Sequence, residues 1–254
     1  MAARVVVVGG GSGLGRLWAR RHAEAGDTVV IADVSDEGMA ETASSHAQIR
    51  AIRCDITRPA DVRELFVMAG TIDRLILTAA IMPTSLAVED SFERIERVME
   101  INYLGNLRVI RAALSQMLPA DRGEIIVLGS VVAEAPTPHM SAYAASKAAL
   151  NVYVEILQHE LLDSGVSIRL VLPPMTDTPL INQARETSNP RSMVLGFERG
   201  IVARPEDIVS HAERAAARGR SRIYPHRMSW ALHLARRFAP RLLWWTILQA
   251  EKDR

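Results

Sequence analysis

The sequence predicts an α/β protein, a parallel sheet with helices wound over both of its faces. Short β-branched runs recur along the chain, separated by stretches with apolar residues at helical spacing. The first of those runs, "VVVV", leads directly into a cluster of glycines, "GGGSGLG". Continuous apolar runs are what strands buried on both faces look like, and strand and helix in alternation is the pattern of a parallel sheet.

In chain order the predicted strands are Arg4–Val8, Thr28–Ala32, Ile49–Arg53, Arg74–Thr78, Glu124–Leu128 and Ser167–Leu172. The predicted helices between them are Leu14–Ala25, Arg58–Ala69, Phe92–Leu118 and Ser141–Ser164. The segment Thr178–Gly200 is polar, proline-broken and weakly periodic, and is read as a mobile substrate loop or lid. Residues 205–254 turn helical again and form a C-terminal extension of different composition. No repeat or low-complexity linker divides the chain, so residues 1–254 are read as a single domain.

Composition narrows the function. With 48% hydrophobic and 23% charged residues, 254 residues can bury a full core. A net charge of +1 gives no reason to expect nucleic acid. A lone cysteine, Cys54, excludes an internal disulfide framework and any multi-cysteine zinc site, and the seven histidines show no metal-binding spacing, so no metal is expected. Strand-like sequence by Arg4 leaves no room for a signal peptide, and no apolar run approaches the ~18 residues of a membrane span. The expected location is therefore cytoplasmic. Of the 30 basic side chains only Lys147 and Lys252 are lysines, so a lysine inside the fold invites the question of why arginine would not serve.

Spacing decides what the glycine loop can hold. A P-loop placed on Gly10 and Gly15 would need lysine and a hydroxyl where Arg16 and Leu17 stand, which removes the Mg²⁺ ligand. The spacing G-x-G-x-x-G fails at Arg16. Gly9, Gly13 and Gly15 fit G-x-x-x-G-x-G, a wider turn whose helix-start amides receive a pyrophosphate; the alternative is a turn that only packs helix on strand. Asp33, ending the next strand, stands where a carboxylate meets the ribose 2′-hydroxyl of NAD and repels the 2′-phosphate of NADP; alternatively it only opens a polar turn. Asp55 ends the following strand at the same sheet edge, or else caps the helix beginning near Pro59.

"SAYAASKAAL" places Tyr143 and Lys147 four residues apart, on one helix face. A compact ammonium can approach a phenol where a broad guanidinium cannot, which gives the rare lysine a purpose. Lowering a phenol from a pKa near 10 to near neutrality takes about 4 kcal/mol of electrostatic help. Ser130, closing "EIIVLGS", stands at another strand end and can bind the same substrate oxygen, or is an ordinary strand-to-loop serine.

These pieces, in this order, resemble the short-chain dehydrogenase/reductases from Arg4 to about Leu180. The matches are the glycine motif at 9–15, Asp33, Asp55, "INYLGN" with Asn102, "LGS" with Ser130, and Y-A-A-S-K at 143–147. The resemblance implies a doubly wound Rossmann-type fold, a homodimer or homotetramer, and interconversion of a secondary alcohol and a ketone. It implies that Tyr143 is the general acid/base, Ser130 orients the substrate oxygen, Lys147 binds the nicotinamide ribose and lowers the tyrosine pKa, and Asn102 holds a water in the proton relay. The cofactor, expected to be NAD, would then meet Gly9, Ser12, Gly13, Leu14, Gly15, Asp33, Asp55, Ile56, Ala79, Ala80, Tyr143, Lys147, Pro173, Thr176 and Thr178. Three departures bear on cofactor affinity: Thr78-Ala79-Ala80-Ile81 stands for N-N-A-G, Val8 for the threonine opening the glycine motif, and Pro173-Pro174 for proline-glycine. The altered 78–81 and 173–174 segments are also the only support for a different reading, a catalytically silent cofactor-binding scaffold; an epimerase or dehydratase using the same hydride chemistry is a third.

The tail adds its own expectations. Eight arginines face a single glutamate, Glu213, between His211 and Ala250, and three tryptophans fall within the same stretch. Trp230, Leu234 and Phe238 at helical spacing, near Arg236, Arg237 and Arg241, suggest a basic amphipathic segment. It either covers the substrate pocket or an oligomer interface, or meets a membrane peripherally. His139, Met140, Met175 and the loop 178–200 are expected on the substrate side, with Arg185 and Arg191 able to swing in; the substrate is expected to be apolar.

Overall fold

A computed structural model describes residues 2–252. Among these residues the sheet holds seven strands: β1 (Arg4–Val8), β2 (Thr28–Asp33), β3 (Ile49–Arg53), β4 (Arg74–Leu77), β5 (Gly123–Leu128), β6 (Val166–Val171) and β7 (Arg222–Ile223). They lie in the order β3-β2-β1-β4-β5-β6-β7, every pair parallel. Alternation of side chains between two buried faces explains why the central runs are apolar without a break. Val6 and Val8 pack into one core with Val30, Leu75 and Leu77, while Val5 and Val7 pack into the other with Val29, Ile31 and Ile76. Each large aliphatic residue so buried contributes about 1.5–3 kcal/mol of transfer free energy.

Helices α3 (Pro59–Ala69), α5 (Asn106–Met117) and α6 (Ser141–Glu160) supply side chains to the first core, among them Leu65, Ile110 and Leu150. On the opposite face lie α1 (Gly13–Glu24), α2 (Asp36–Ser44) and α9 (Pro205–Ala217), contributing Trp18, Met39 and Ala212. The chain leaves β1 toward β2 and β3, then returns to place β4 on the other side of β1. That reversal opens a crevice at the C-terminal ends of β1 and β4, where open α/β sheets bind ligands.

The structure differs from the expected elements at several points. The stretch 92–118 is α4 (Phe92–Met99), a π-helical turn (Glu100–Gly105) and α5 rather than one regular helix. Helix α2 was not expected: it buries only Met39 and Thr42, too little for an apolar period, and is started by Ser35, whose hydroxyl accepts from the Gly38 amide at 3.1 Å. The expected loop 178–200 folds into α7 (Leu180–Glu186) and α8 (Arg191–Glu198), held down by buried Ile181, Ala184, Met193 and Leu195. The C-terminal region begins as part of the main layers, with α9 on α1 and β7 extending the sheet, before α10 (Arg227–Phe238) and α11 (Pro240–Lys252). No helix among the described residues is long and apolar enough to cross a membrane.

Candidate active site

A cavity of about 870 Å³ opens at the crevice, reaching from the glycine loop to the C-terminal helices. At its floor the loop is shaped by close approaches that only glycine permits. Gly9 has φ +85°, and a Cβ on Gly15 would stand 2.1 Å from the Gly9 carbonyl oxygen. Ser12 begins α1 without capping it, so the helix starts on the cavity with no side chain of its own over its first amides. A glycine cradle leading to an uncapped helix start is a fit for a pyrophosphate. The Thr78 hydroxyl lies 3.0 Å from the Val8 carbonyl and 3.1 Å from that of Gly9, bracing the loop from the next strand.

Asp33 both lines this cavity and holds the loop. Its Oδ2 accepts from the Gly11 amide at 2.9 Å, and its Oδ1 from Val34 and Ser35 at 2.8 and 3.1 Å. Three amides leave a carboxylate with roughly one lone-pair site for a ligand hydroxyl. Arg16 and Arg53, which reach the same loop and strand end, are committed to Glu41 and Asp36 and to the carbonyls of Gly11 and Val34. Asp55 lines the cavity too, its carboxylate accepting from both the amide and the hydroxyl of Thr57. Burial works against its charge, but those bonds hold its carboxyl below the usual range. It closes a local turn, and the N-cap of α3 is instead Arg58.

Deeper in, α6 brings Tyr143 and Lys147 against Ser130, which follows β5. The Lys147 ammonium donates to the Leu128 carbonyl at 2.8 Å and sits 6.0 Å from the centre of the Tyr143 ring. Burial drives the two groups in opposite directions: the phenol is pushed up to about 12, partly opposed by its hydrogen bond with Ser130, and the ammonium down to about 8. Ser130 also accepts from the Val132 amide at 3.2 Å, and Asn151, one turn beyond Lys147, donates to the Ser130 carbonyl at 3.2 Å.

Asn102 is not brought to the cavity wall. It is fully buried behind Ile81, accepting from the Ile81 amide at 2.8 Å and donating to its carbonyl at 2.9 Å. Its remaining N–H reaches Ser146 at 3.1 Å, whose hydroxyl donates to the Tyr143 carbonyl at 2.8 Å. Asn102 lies in the π-helical turn, and its side-chain contacts brace the Tyr143 helix against the β4 loop.

The other expected residues, Leu14, Ile56, Ala79, Ala80, Pro173, Thr176 and Thr178, all line the cavity, as do Met140 and Met175. His139 does not, and its carbonyl instead accepts from Ser85. Arg185 lies over the Phe197 ring at 4.2 Å and Arg191 pairs with Glu198, and neither lines the cavity; the arginines that do are Arg97 and Arg199, which sequence reasoning passed over. The C-terminal segment covers the pocket, one of the placements expected for it: α10 and α11 form the outer wall with Met228, Leu232, Leu243 and Ile247. Two contacts hold that wall in place. His233 on α10 lies 2.6 Å from Glu134, just beyond the Ser130 turn, and the Glu251 carboxylate on α11 caps α8 by accepting from the amides of Arg191 and Ser192.

Residues 3–189 match the short chain dehydrogenase family. The chain belongs to that family. Among the relatives of this dehydrogenase is a fatty acyl-CoA reductase of Acinetobacter baylyi, 31% identical over 84% of this chain and 77% of that protein. Another is a 2,5-dichloro-2,5-cyclohexadiene-1,4-diol dehydrogenase of Sphingobium indicum, 30% identical over 69% of this chain and 73% of that one. In fold the dehydrogenase is similar to a short chain dehydrogenase/reductase from Burkholderia phymatum solved with NAD, at a TM-score of 0.86, 24% identity and 95% coverage of both chains. A variant of actinorhodin polyketide ketoreductase with NADPH follows at a TM-score of 0.77 and 23% identity, over 88% of this chain and 97% of that one. Family membership makes the chain an oxidoreductase.

Proposed function

We propose that this dehydrogenase interconverts a secondary alcohol and a ketone on an apolar substrate, with NAD as its cofactor. The observation that carries the reading is the buried group of Ser130, Tyr143 and Lys147 at the sheet edge, inside one cavity with the glycine loop. The nicotinamide supplies the hydride acceptor or donor. Gly9, Gly13 and Gly15 shape the pyrophosphate cradle, Asp33 takes the adenosine ribose, and Lys147 takes the nicotinamide ribose.

Ser130 holds the substrate oxygen by a hydrogen bond, and Tyr143 exchanges the proton with it. A phenol held near 12 is protonated at neutral pH, so it is poised to donate as an alcohol oxygen forms during ketone reduction. In the oxidation direction the same oxygen must first lose its proton, and the nearby Lys147 cation favours that loss. Asn102 acts as a positioning residue for the Tyr143 helix.

NAD is favoured over NADP because Asp33 faces the cavity while Arg16 and Arg53 are already paired. The apolar liners from α8, α10 and α11 support an apolar substrate, and the name of the Acinetobacter relative, a fatty acyl-CoA reductase, is compatible with a long apolar chain. A single domain, cytoplasmic location and homo-oligomeric state complete the proposal.

The test is turnover on secondary alcohols and their ketones of graded size, with Tyr143→Phe run alongside. The variant should lose on the order of a hundred- to ten-thousand-fold in rate while still binding NADH. Turnover that survives the substitution unchanged would refute the proton-transfer role.

A further inference from the structure

The C-terminal helix pair has two working faces, and only the inner one belongs to the cavity. Leu243, Ile247 and Ala250 recur at helical spacing on the inside of α11. Arg241, Leu242, Trp245 and Leu248 lie on its outside, and Arg227, Trp230, Arg237 and Phe238 on the outside of α10. The outer apolar residues are far from buried: Phe238 is 75% exposed, Leu242 60%, Trp245 58% and Trp230 56%. A cluster of large aromatic and aliphatic side chains on adjoining helices marks an interaction surface rather than isolated exposure.

Charge identifies the occupant. From Arg214 to Ala250 the chain carries eight arginines and no acidic residue. Arg222 is committed to Glu134 and Glu155, but among the described residues no acidic side chain pairs with Arg227, Arg236, Arg237 or Arg241. A second copy of the chain docked on this face would set two such clusters against each other with no local acid to neutralise them. A sheet of anionic headgroups neutralises them all, and accepts tryptophan at the depth where its ring is half wet. We propose that the outer face of α10 and α11 docks on an anionic lipid surface, placing the apolar wall of the cavity one helix away from the bilayer. The inference concerns a surface and does not depend on the reaction proposed above.

The experiment is co-sedimentation with phosphatidylglycerol–phosphatidylcholine vesicles and with phosphatidylcholine alone, followed also by tryptophan emission. Trp18 is fully buried and the other three tryptophans lie on these two helices, so a blue shift on vesicle addition reports the surface itself. Binding should require the anionic lipid, weaken with salt, and fall by roughly a hundredfold in Arg236→Glu/Arg237→Glu/Arg241→Glu. Phe238→Ala/Trp245→Ala should abolish the blue shift, with unchanged circular dichroism and NADH binding showing that both variants fold. No binding to anionic vesicles, or equal binding by the charge-reversed variant, overturns the proposal. So does sedimentation velocity that shows a dimer split by Phe238→Ala/Trp245→Ala, since the face would then belong to a second copy.

Discussion

Replacing Lys147 by methionine tests the electrostatic account of the site without needing a substrate. The side chain is almost fully buried, and burial lowers its pKa from 10.5 to about 8. Between those values the unfolded chain binds more protons than the folded one, so stability rises with pH across the window. A depression of that size means the charged form is disfavoured in the folded state by about 3 kcal/mol at pH 7, shrinking to about 1 kcal/mol at pH 9.5. Methionine has nearly the same reach and no charge, but it leaves the Leu128 carbonyl without its donor, a loss of about 1–3 kcal/mol at either pH. The variant is therefore expected to be as stable as the parent or slightly more so at pH 7. Its relative standing should fall by about 2 kcal/mol on going to pH 9.5. Urea unfolding of the cofactor-free proteins at the two pH values measures this, and staying below pH 10 keeps the Tyr143 phenol out of the titration. A difference between the two proteins that is the same at both pH values would refute the reasoning, because it would mean that Lys147 is not charged at a desolvation cost.

Three further outcomes follow from contacts elsewhere. Asp33→Arg removes the carboxylate that accepts from the Gly11, Val34 and Ser35 amides and should weaken NAD while admitting NADP; an unchanged preference in cofactor titrations would refute the NAD assignment. Thr78→Val keeps the shape but not the hydroxyl beside the Val8 and Gly9 carbonyls, and should cost about 1–2 kcal/mol of stability together with a several-fold loss of NADH affinity by calorimetry. Glu213 is buried, which opposes its charge, yet His22, Arg74 and Trp18 hold its carboxyl down to about 2. The stability this supplies is complete above pH 4.5 and is lost as pH falls toward 2, so Glu213→Gln should be destabilised near neutrality and lose about 3 kcal/mol less than the parent on acidification.

What was legible in the sequence is what repeats or what is rare. The central strands announce themselves because both faces are buried, so runs such as Val5–Val8 and Val29–Ala32 are apolar throughout with clear ends. The glycines at 9, 13 and 15 and the lone internal lysine point to the site because few other residues can take those places. Helix α2 and strand β7 carry no such signal, the one burying only Met39 and Thr42 and the other two residues long. The π-helical turn is invisible to periodicity, since Phe92 to Leu118 is apolar enough to read as one helix. It carries Asn102, whose side-chain amide is held on the Ile81 backbone. A pocket cover was one reading of the tail, but the contacts that seat α10 and α11, His233 on Glu134 and Glu251 on α8, join residues far apart in the chain, and nothing local foretells them.

The departures from the family's motifs bear on whether this is an enzyme or a silent relative, and the hydrogen bonds speak to that. A scaffold that has lost its purpose has no reason to keep the loop geometry once the bracing amides are gone. Here Thr78, standing where the family pattern has an asparagine, offers its hydroxyl to the two carbonyls at the start of the glycine loop. The double proline lacks two backbone donors, yet its acceptors are in use: the Pro173 carbonyl takes the Val131 amide at 3.2 Å and the Pro174 carbonyl the Thr176 hydroxyl at 2.9 Å. The first of these ties the turn after β6 to the turn that carries Ser130. Substitution has changed which atoms hold the two turns without leaving either unheld, and a maintained cradle beside an intact serine, tyrosine and lysine supports turnover over a silent scaffold.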